Sequence, residues 1–562
     1  MAMRASRILR ELEKLKLEFG EHAGPRKREL LAQLEKANLP TATAVLKLHE
    51  LLCFWRAYPD DAVLLTRIER MLQVYADRAD LRRHRRRLAD TGVAGTEIRF
   101  EFYARMAQWL AECWPRRLTI DWTAYGEGER LGKVLHLLAL YGETPGLDEY
   151  DYPVREWIDR LRAPTETDAT FLVRRIAGLP LDGFFHEKFY EDLALPLRLA
   201  PAPAGPSRTG AKVSGVPVIY QTGPLRRDRP DLGQELRRPP LAIRTVSTAR
   251  ARRLIDLARE AMVTRSRDLD VFAWADPRDV RLADCGDGLQ FAIIGAIPER
   301  RLMLEAVYGF MTLKNGVPVG YALNSALFGS AEVAYNIFAT YRGAEAGTIF
   351  GRLLATVAAV FGSDTFAIYP YQLGDQNDEA LQSGAWWFYH KVGFRPRDRE
   401  TLDLMHRELR RMRKNPRYRS SISNLARLAR VNVYYQRGKQ REDVIGELPL
   451  AAVGLKITRY LARRFGADRH RAERICAHEA AKRLGMSSLA DLGPGERLAW
   501  RRWSPLLLIL PGIEHWSLPE RKGLVDVVRA KGGQRESDFA VKFDSHRRLR
   551  SAVRKLARDP VA

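Results

Sequence analysis

Along residues 1–195 apolar positions recur at three- and four-residue spacing, most regularly in 44–56 and 62–76. That period predicts amphipathic helices. Shorter stretches of the same period fall at 103–113, 130–140, 154–161 and 168–177. The pattern dissolves over 196–240, where PLRLAPAPAGPSRTGAKVSG and RRPP disfavour helix and central strand alike. A linker is expected there, with one strand-like patch, VPVIYQTG. A helix at 247–262 opens a run of short strands and helices that ends near Arg397. Helical spacing then returns at 402–412, 420–429, 450–465, 469–484, 519–529 and 545–557. No repeat of 20 to 50 residues is visible.

These patterns predict an α+β protein in four parts. They are a helical N-terminal region (1–195), a Pro/Gly-rich linker (196–240), a mixed sheet flanked by helices (241–400) and a helical C-terminal region (401–562). A chain of 562 residues exceeds what one core organises, so several domains are expected. Hydrophobic residues at 46% exclude a disordered chain.

The net charge of +24 is concentrated at one end, because residues 401–562 hold 36 Lys and Arg against 17 Asp and Glu. Such a surplus attracts nucleic acid or an acidic partner. The basic clusters RRHRRR (82–87) and RELRRMRKNPRYR (407–419) read first as solvated helix faces, although Tyr418 among the arginines favours a polyanion contact. Four scattered cysteines form no disulfide or zinc pattern, and Cys476 with His478 does not share one helix face. No metal is expected. The charged start carries no secretory pattern and the longest apolar stretch, 505–512, has eight residues. A cytoplasmic protein without a transmembrane segment is expected.

The densest local signal is 302–328, where two β-rich runs flank Asn315-Gly316, a dipeptide suited to a two-residue hairpin turn. A third strand is expected at 332–340. It runs into YRGAEAG (341–347) and then the helical IFGRLLATVAAVFG. A strand, a Gly-rich turn and a helix leave unpaired N–H groups at a helix start, a candidate phosphate cradle. A strand at 365–371, the loop LGDQND, a helix through GAWWFYHKVGF (384–394) and a short strand from Phe394 complete the segment.

This order, with its R-G turn and F-Y-x-K-x-G-F run, resembles the GNAT N-acyltransferases over residues 266–398. The resemblance implies an acyltransferase that moves an acetyl or other acyl group from acyl-CoA to an unknown acceptor, an amine. In the family's turn pattern, Arg342 and Gly347 hold the first and last positions, while Glu345 replaces the first glycine. A glutamate there adds negative charge and restricts backbone approach. The turn Arg342, Gly343, Ala344, Glu345, Ala346, Gly347 and Thr348 would hold the coenzyme pyrophosphate. Ala385, Phe388, Tyr389, Lys391, Gly393 and Phe394 match at family spacing, with Gln382 where the family often has Asn.

By the same resemblance, Tyr389 would protonate the departing thiolate, and the backbone amides of Ile337, Phe338 and Ala339 would polarise the thioester carbonyl. Glu332 is the candidate base, with Asp375 and Glu379 behind it. The plainer alternatives are a strand-edge charge for Glu332 and a packed aromatic for Tyr389. Trp386-Trp387 reads as core filler. The rival to an enzyme is an inactive GNAT-like scaffold in a nucleic-acid- or protein-binding factor. A third reading takes the acyl group from a carrier protein or aminoacyl-tRNA.

Overall fold

A computed structural model describes residues 2–126 and 128–559, and within them the chain forms two compact units. One runs through Leu225 and adds Arg253–Trp274 and Lys314–Pro318; the other comprises Arg226–Arg252, Ala275–Leu313 and the chain from Val319 onward. The segment 196–240 is thus shared between them.

The first unit is mainly helical. Thr41 and Asp61 begin the helices Ala42–Ala57 and Ala62–Gln73, their side chains accepting from the N–H groups of Ala44 and Leu64. Helices Ala104–Cys113, Glu129–Leu138, Val154–Leu161 and Asp168–Ala177 follow. A three-stranded antiparallel sheet, absent from the helical expectation, joins β1 (Ile98–Phe100), β2 (Leu118–Ile120) and β3 (Leu197–Leu199) in the order β1-β3-β2. Its Ile98, Leu118, Ile120, Leu197 and Leu199 are buried together. Three-residue strands are too short to show a period. The patch VPVIYQTG forms no strand; Ile219 and Gln221 instead donate their N–H groups to Asn315 Oδ1 and Pro59 O.

The second unit is built on a large mixed sheet flanked by helices. Its strands are β4 (Ala242–Thr245), β5 (Ala275–Asp284), β6 (Leu289–Ala296), β7 (Ala306–Lys314), β8 (Val317–Leu327), β9 (Ser330–Ile337), β10 (Thr365–Ile368), β11 (Arg395–Pro396) and β12 (Val433–Gln436). The spatial order is β11-β12-β10-β9-β8-β7-β6-β5-β4. Asn315 and Gly316 join β7 to β8 at φ of 50° and 77°, as a primed two-residue turn demands. β9 and β10 are parallel. Between them the helix Ala346–Phe361 buries Ile349, Phe350, Leu353, Leu354 and Val357.

Three expectations change. The strand predicted at 332–340 spans Ser330–Ile337 and gives way to a 3-10 turn, Ala339–Tyr341. The strand predicted at 365–371 stops at Ile368, because Pro370 starts the short helix Pro370–Leu373. The region 401–562 is not wholly helical, since β12 inserts between β10 and β11 and pairs antiparallel with both.

Helices Ala451–Phe465, Arg469–Leu484, Pro494–Ile509, Leu518–Gly532, Glu536–Ser545 and Arg547–Arg558 end the unit around buried Trp500, Trp503, Phe539 and Phe543. Among the described residues no helix is long and apolar enough to cross a membrane. None of their His, Cys, Asp and Glu side chains gather in groups that could hold a metal ion.

Candidate functional site

β9 and β10 pair over only three positions, Ser330 with Thr365, Ala331 with Phe366 and Glu332 with Ala367. β10 then ends while β9 continues to Ile337. The two strands part, and a cavity of about 450 Å³ opens beside the free end of β9. Tyr335, Asn336, Ile337, Arg342, Gly343 and Ala346 line one wall. Helices Asp378–Ser383 and Ala385–Lys391 supply the other, through Glu379, Ser383, Phe388 and Tyr389 among others.

The ladder with β8 fixes which backbone groups face this slot. Phe338 donates its N–H to Val319 O at 3.0 Å, so alternation turns the Ile337 N–H away from β8, toward the side that β10 has vacated. Of the three amides expected to polarise a carbonyl, Ile337 is therefore the one available. Phe338 is already engaged, and Ala339 lies in the following turn, outside the cavity wall.

The turn after β9 reaches the helix through Gly343, whose φ of +83° favours glycine and whose surroundings are open. Glu345 occupies the N-cap position, and its carbonyl accepts from the Ile349 N–H at 2.9 Å. It is buried and outside the cavity wall, so the charge expected near an anion is turned away. The N–H groups of Ala346, Gly347 and Thr348 belong to the first helical turn, which has no intrahelical acceptor to offer them.

A strap at 226–231 crosses this helix start. Pro230 Cδ lies 3.0 Å from where a Cβ on Gly347 would stand, and Thr348 Oγ1 donates to Arg226 O at 3.2 Å. Arg342, Gly343 and Ala346 thus line the cavity, whereas Ala344, Glu345, Gly347 and Thr348 do not.

Arg342 spans the slot, its Nη2 donating to Glu379 and its Nε to Ile337 O at 3.4 Å. Both partners of the ion pair are half exposed. Glu379, a candidate base placed behind Glu332, is therefore the carboxylate that the cavity wall sets against Arg342.

Tyr389 is 4% exposed and lines the cavity. Its ring packs 5.7 Å from Phe350 and 5.9 Å from Phe394, which accounts for the aromatic run at that spacing. Among the described residues no group hydrogen-bonds its hydroxyl, and burial raises its pKa well above the phenol's ordinary value.

Glu332 is not brought to Tyr389. It sits where β9 and β10 are still paired, four residues before Asn336, or ~13 Å along the strand. Alternation puts it on the face of Ala334 and Asn336, opposite Val333 and Tyr335. Burial, with a smaller contribution from Glu305, pushes its carboxyl up to about 7. Gln382 is exposed and Asp375 half-buried, and both lie outside the wall.

Sequence reasoning missed Tyr335, Asn336, Gln372, Asn377 and Ser383. Asn377 carried a signal, since its side chain caps the Asp378–Ser383 helix by accepting from Ala380 N at 3.2 Å. Trp386 and Trp387 face away from the slot chemistry, their indole N–H groups donating to Leu428 O and Ser420 Oγ. Tyr418 donates to both oxygens of buried Glu408 at 3.1 and 3.0 Å, so its phenol is engaged within the chain rather than toward a polyanion.

No family model, curated protein or solved structure matches this chain.

Proposed function

We propose that the slot between β9 and β10 binds an acyl-CoA and that the protein is a GNAT-type acyltransferase with an amine acceptor. The observation that carries this reading is the parting of two parallel strands beside a Gly-containing turn at a helix start. A pantetheine arm, which is thin and amide-bearing, fits between strand edges with unused hydrogen-bonding groups. A pyrophosphate suits Arg342 and the open backbone at Gly343 and Ala346.

In this reading the Ile337 N–H polarises the thioester carbonyl and stabilises the oxyanion that follows amine attack. Collapse breaks the C–S bond, and the thiolate leaves toward Tyr389. A phenol held above its ordinary pKa does not readily give up its proton to a thiolate whose own acid has a pKa of about 8.5. Tyr389 therefore acts first as a hydrogen-bond donor to sulfur. Glu332, near 7, suits a base that takes the amine's proton from the other face of the sheet.

Isothermal titration of the full chain with acetyl-CoA tests the donor. Heat at micromolar to millimolar coenzyme is expected, and none at millimolar coenzyme would sink the reading. The full chain is used because β12 belongs to the sheet.

A second reading, an inactive scaffold for a nucleic acid or acidic partner, draws on exposed Arg459, Arg463, Arg554 and Lys555. They lie on two helices joined by Lys456 Nζ donating to Leu556 O at 2.7 Å. A filter-binding salt series separates it, since polyanion binding weakens steeply with salt.

A further inference from the structure

Five large apolar side chains of the first unit stand in solvent on linked helix ends. Leu137, Leu140 and Tyr141, at the end of the helix Glu129–Leu138 and just beyond it, are 64%, 61% and 92% exposed. Leu181 and Phe185, at the start of the helix Gly183–Leu193, are 43% and 65% exposed. Two hydrogen bonds tie these places together. Arg175, in the last turn of the helix Asp168–Ala177, donates through Nε to Leu138 O, and the His186 ring bonds to Leu179 O through Nε2 at 2.7 Å. Single exposed leucines are ordinary, whereas apolar side chains gathered in this way mark a surface for a partner.

The charge around them narrows what that partner is. Residues 129–193 hold 13 Asp and Glu against 8 Lys and Arg, in a chain whose net charge is +24. Most of those cations are engaged locally, Lys133 with Glu129, Arg160 with Glu156, Arg162 with Asp159, Arg174 with Glu166 and Lys188 with Asp192. Among the described residues Glu143, Glu149, Asp151 and Glu191 make no ion pair. Glu143 stands two residues from Tyr141. Such a surface repels nucleic acid and anionic lipid, and it suits a partner that is both basic and apolar.

The chain carries a surface of that kind in its second unit. On the helix Ala451–Phe465, Leu455 is 55% exposed, and exposed Arg459 and Arg463 follow at four-residue spacing, so the three share one stripe. Neither arginine makes an ion pair among the described residues. We infer that the acidic apolar surface of one molecule receives this helix from a second copy of the chain. Leu455 supplies apolar contact, and the unpaired carboxylates answer Arg459 and Arg463. The contact is heterologous, because it joins two different surfaces. It is independent of the coenzyme reading.

Sedimentation velocity of the full chain from about 1 to 100 µM, at about 50 and 500 mM salt, is the test. Wild type should associate at the lower salt, with Kd raised at least about tenfold at the higher. Tyr141→Ser with Phe185→Ser removes one surface, and Arg459→Glu with Arg463→Glu removes the other. Each double variant alone should stay monomeric. Mixed together they should associate, because the first keeps the helix and the second keeps the apolar surface. Leu137→Gln with Leu140→Gln should behave as the first variant does and should also associate with the second, which separates a lost contact from a lost fold.

Wild type that remains monomeric at the highest concentration overturns the inference. A double variant that still associates with itself does so too, since it would mean like surfaces in contact, and so does a mixture that stays monomeric with both apolar-surface variants. Association that appears only after RNA or anionic vesicles are added also overturns it.

Discussion

The slot in the second unit and a larger cavity in the first differ in the kind of polar group that lines them as well as in size. The first-unit cavity, of about 670 Å³, is lined by Glu101, Asp121 and Asp268 with Arg99, Phe100 and Tyr103. Its polar groups are largely carboxylates. Asp268 accepts from the Tyr103 N–H through Oδ2 at 2.9 Å, while its buried Oδ1 has no hydrogen-bond partner among the described residues. The smaller slot offers hydrogen-bond donors: the Ile337 N–H, the Tyr389 hydroxyl and the Arg342 guanidinium. An oxyanion needs donors, so the smaller cavity is the one that the proposed acyl transfer calls for. Volume alone would have chosen the other.

The sharpest way to break this contrast is to remove one hydroxyl from each cavity. Tyr389→Phe should lower kcat about 100-fold while acetyl-CoA binding, measured by titration, is retained. Tyr103→Phe should leave kcat unchanged, and an equal fall in both variants would end the distinction. Glu332→Gln should lower the rate at pH 8 by about tenfold to 100-fold. Wild-type activity should decline as pH falls through about 7, where that carboxyl takes up its proton, and the variant's pH–rate profile should lose this limb.

Asp268 makes the same comparison through stability. Burial raises its carboxyl to about 7 in the folded chain, above its unfolded value, so the folded state binds the proton more tightly. Its contribution is then fully present below about pH 4 and lost as pH rises through 7. Asp268→Asn should therefore stabilise the protein by about 2 kcal/mol at pH 8, with the gain vanishing toward pH 4, as read from denaturant midpoints. The smallest effect is expected at the mouth of the slot. Glu379→Gln frees Arg342 from a half-exposed ion pair and should tighten acetyl-CoA binding about threefold at low salt, less at high salt.

Much of the second unit's local structure was legible because its signals are short-range. Asn315-Gly316 announced its hairpin, and the apolar spacing after Gly347 announced the buried helix. Other elements depended on partners far away in sequence. The run around Val433–Gln436 is rich in β-branched and aromatic residues, yet four residues in a basic helical stretch do not reveal that β10 and β11 stand on either side. The strands β1 to β3 are shorter still. At the candidate site, Tyr389 was singled out by the family resemblance of its aromatic run, and the Arg342 turn by its place between a strand and a helix. The burial of Glu345 and the opposition of Glu379 to Arg342 could not, because both depend on how the turn meets the helices around it.

The place of β12 has a consequence for the order in which the chain can be assembled. Among the described residues β11 pairs only with β12, and β10 presents an open edge on that side until residues 433–436 arrive. A chain emerging from synthesis would hold the turn, both slot walls and Tyr389 before it held the strand that closes the sheet beyond them. An uncapped edge is a template for pairing with other chains. The basic C-terminal region is thus the last course of masonry in the wall behind the slot as well as a charged appendage, and a product cut near residue 400 would keep the slot's lining residues while leaving that edge exposed.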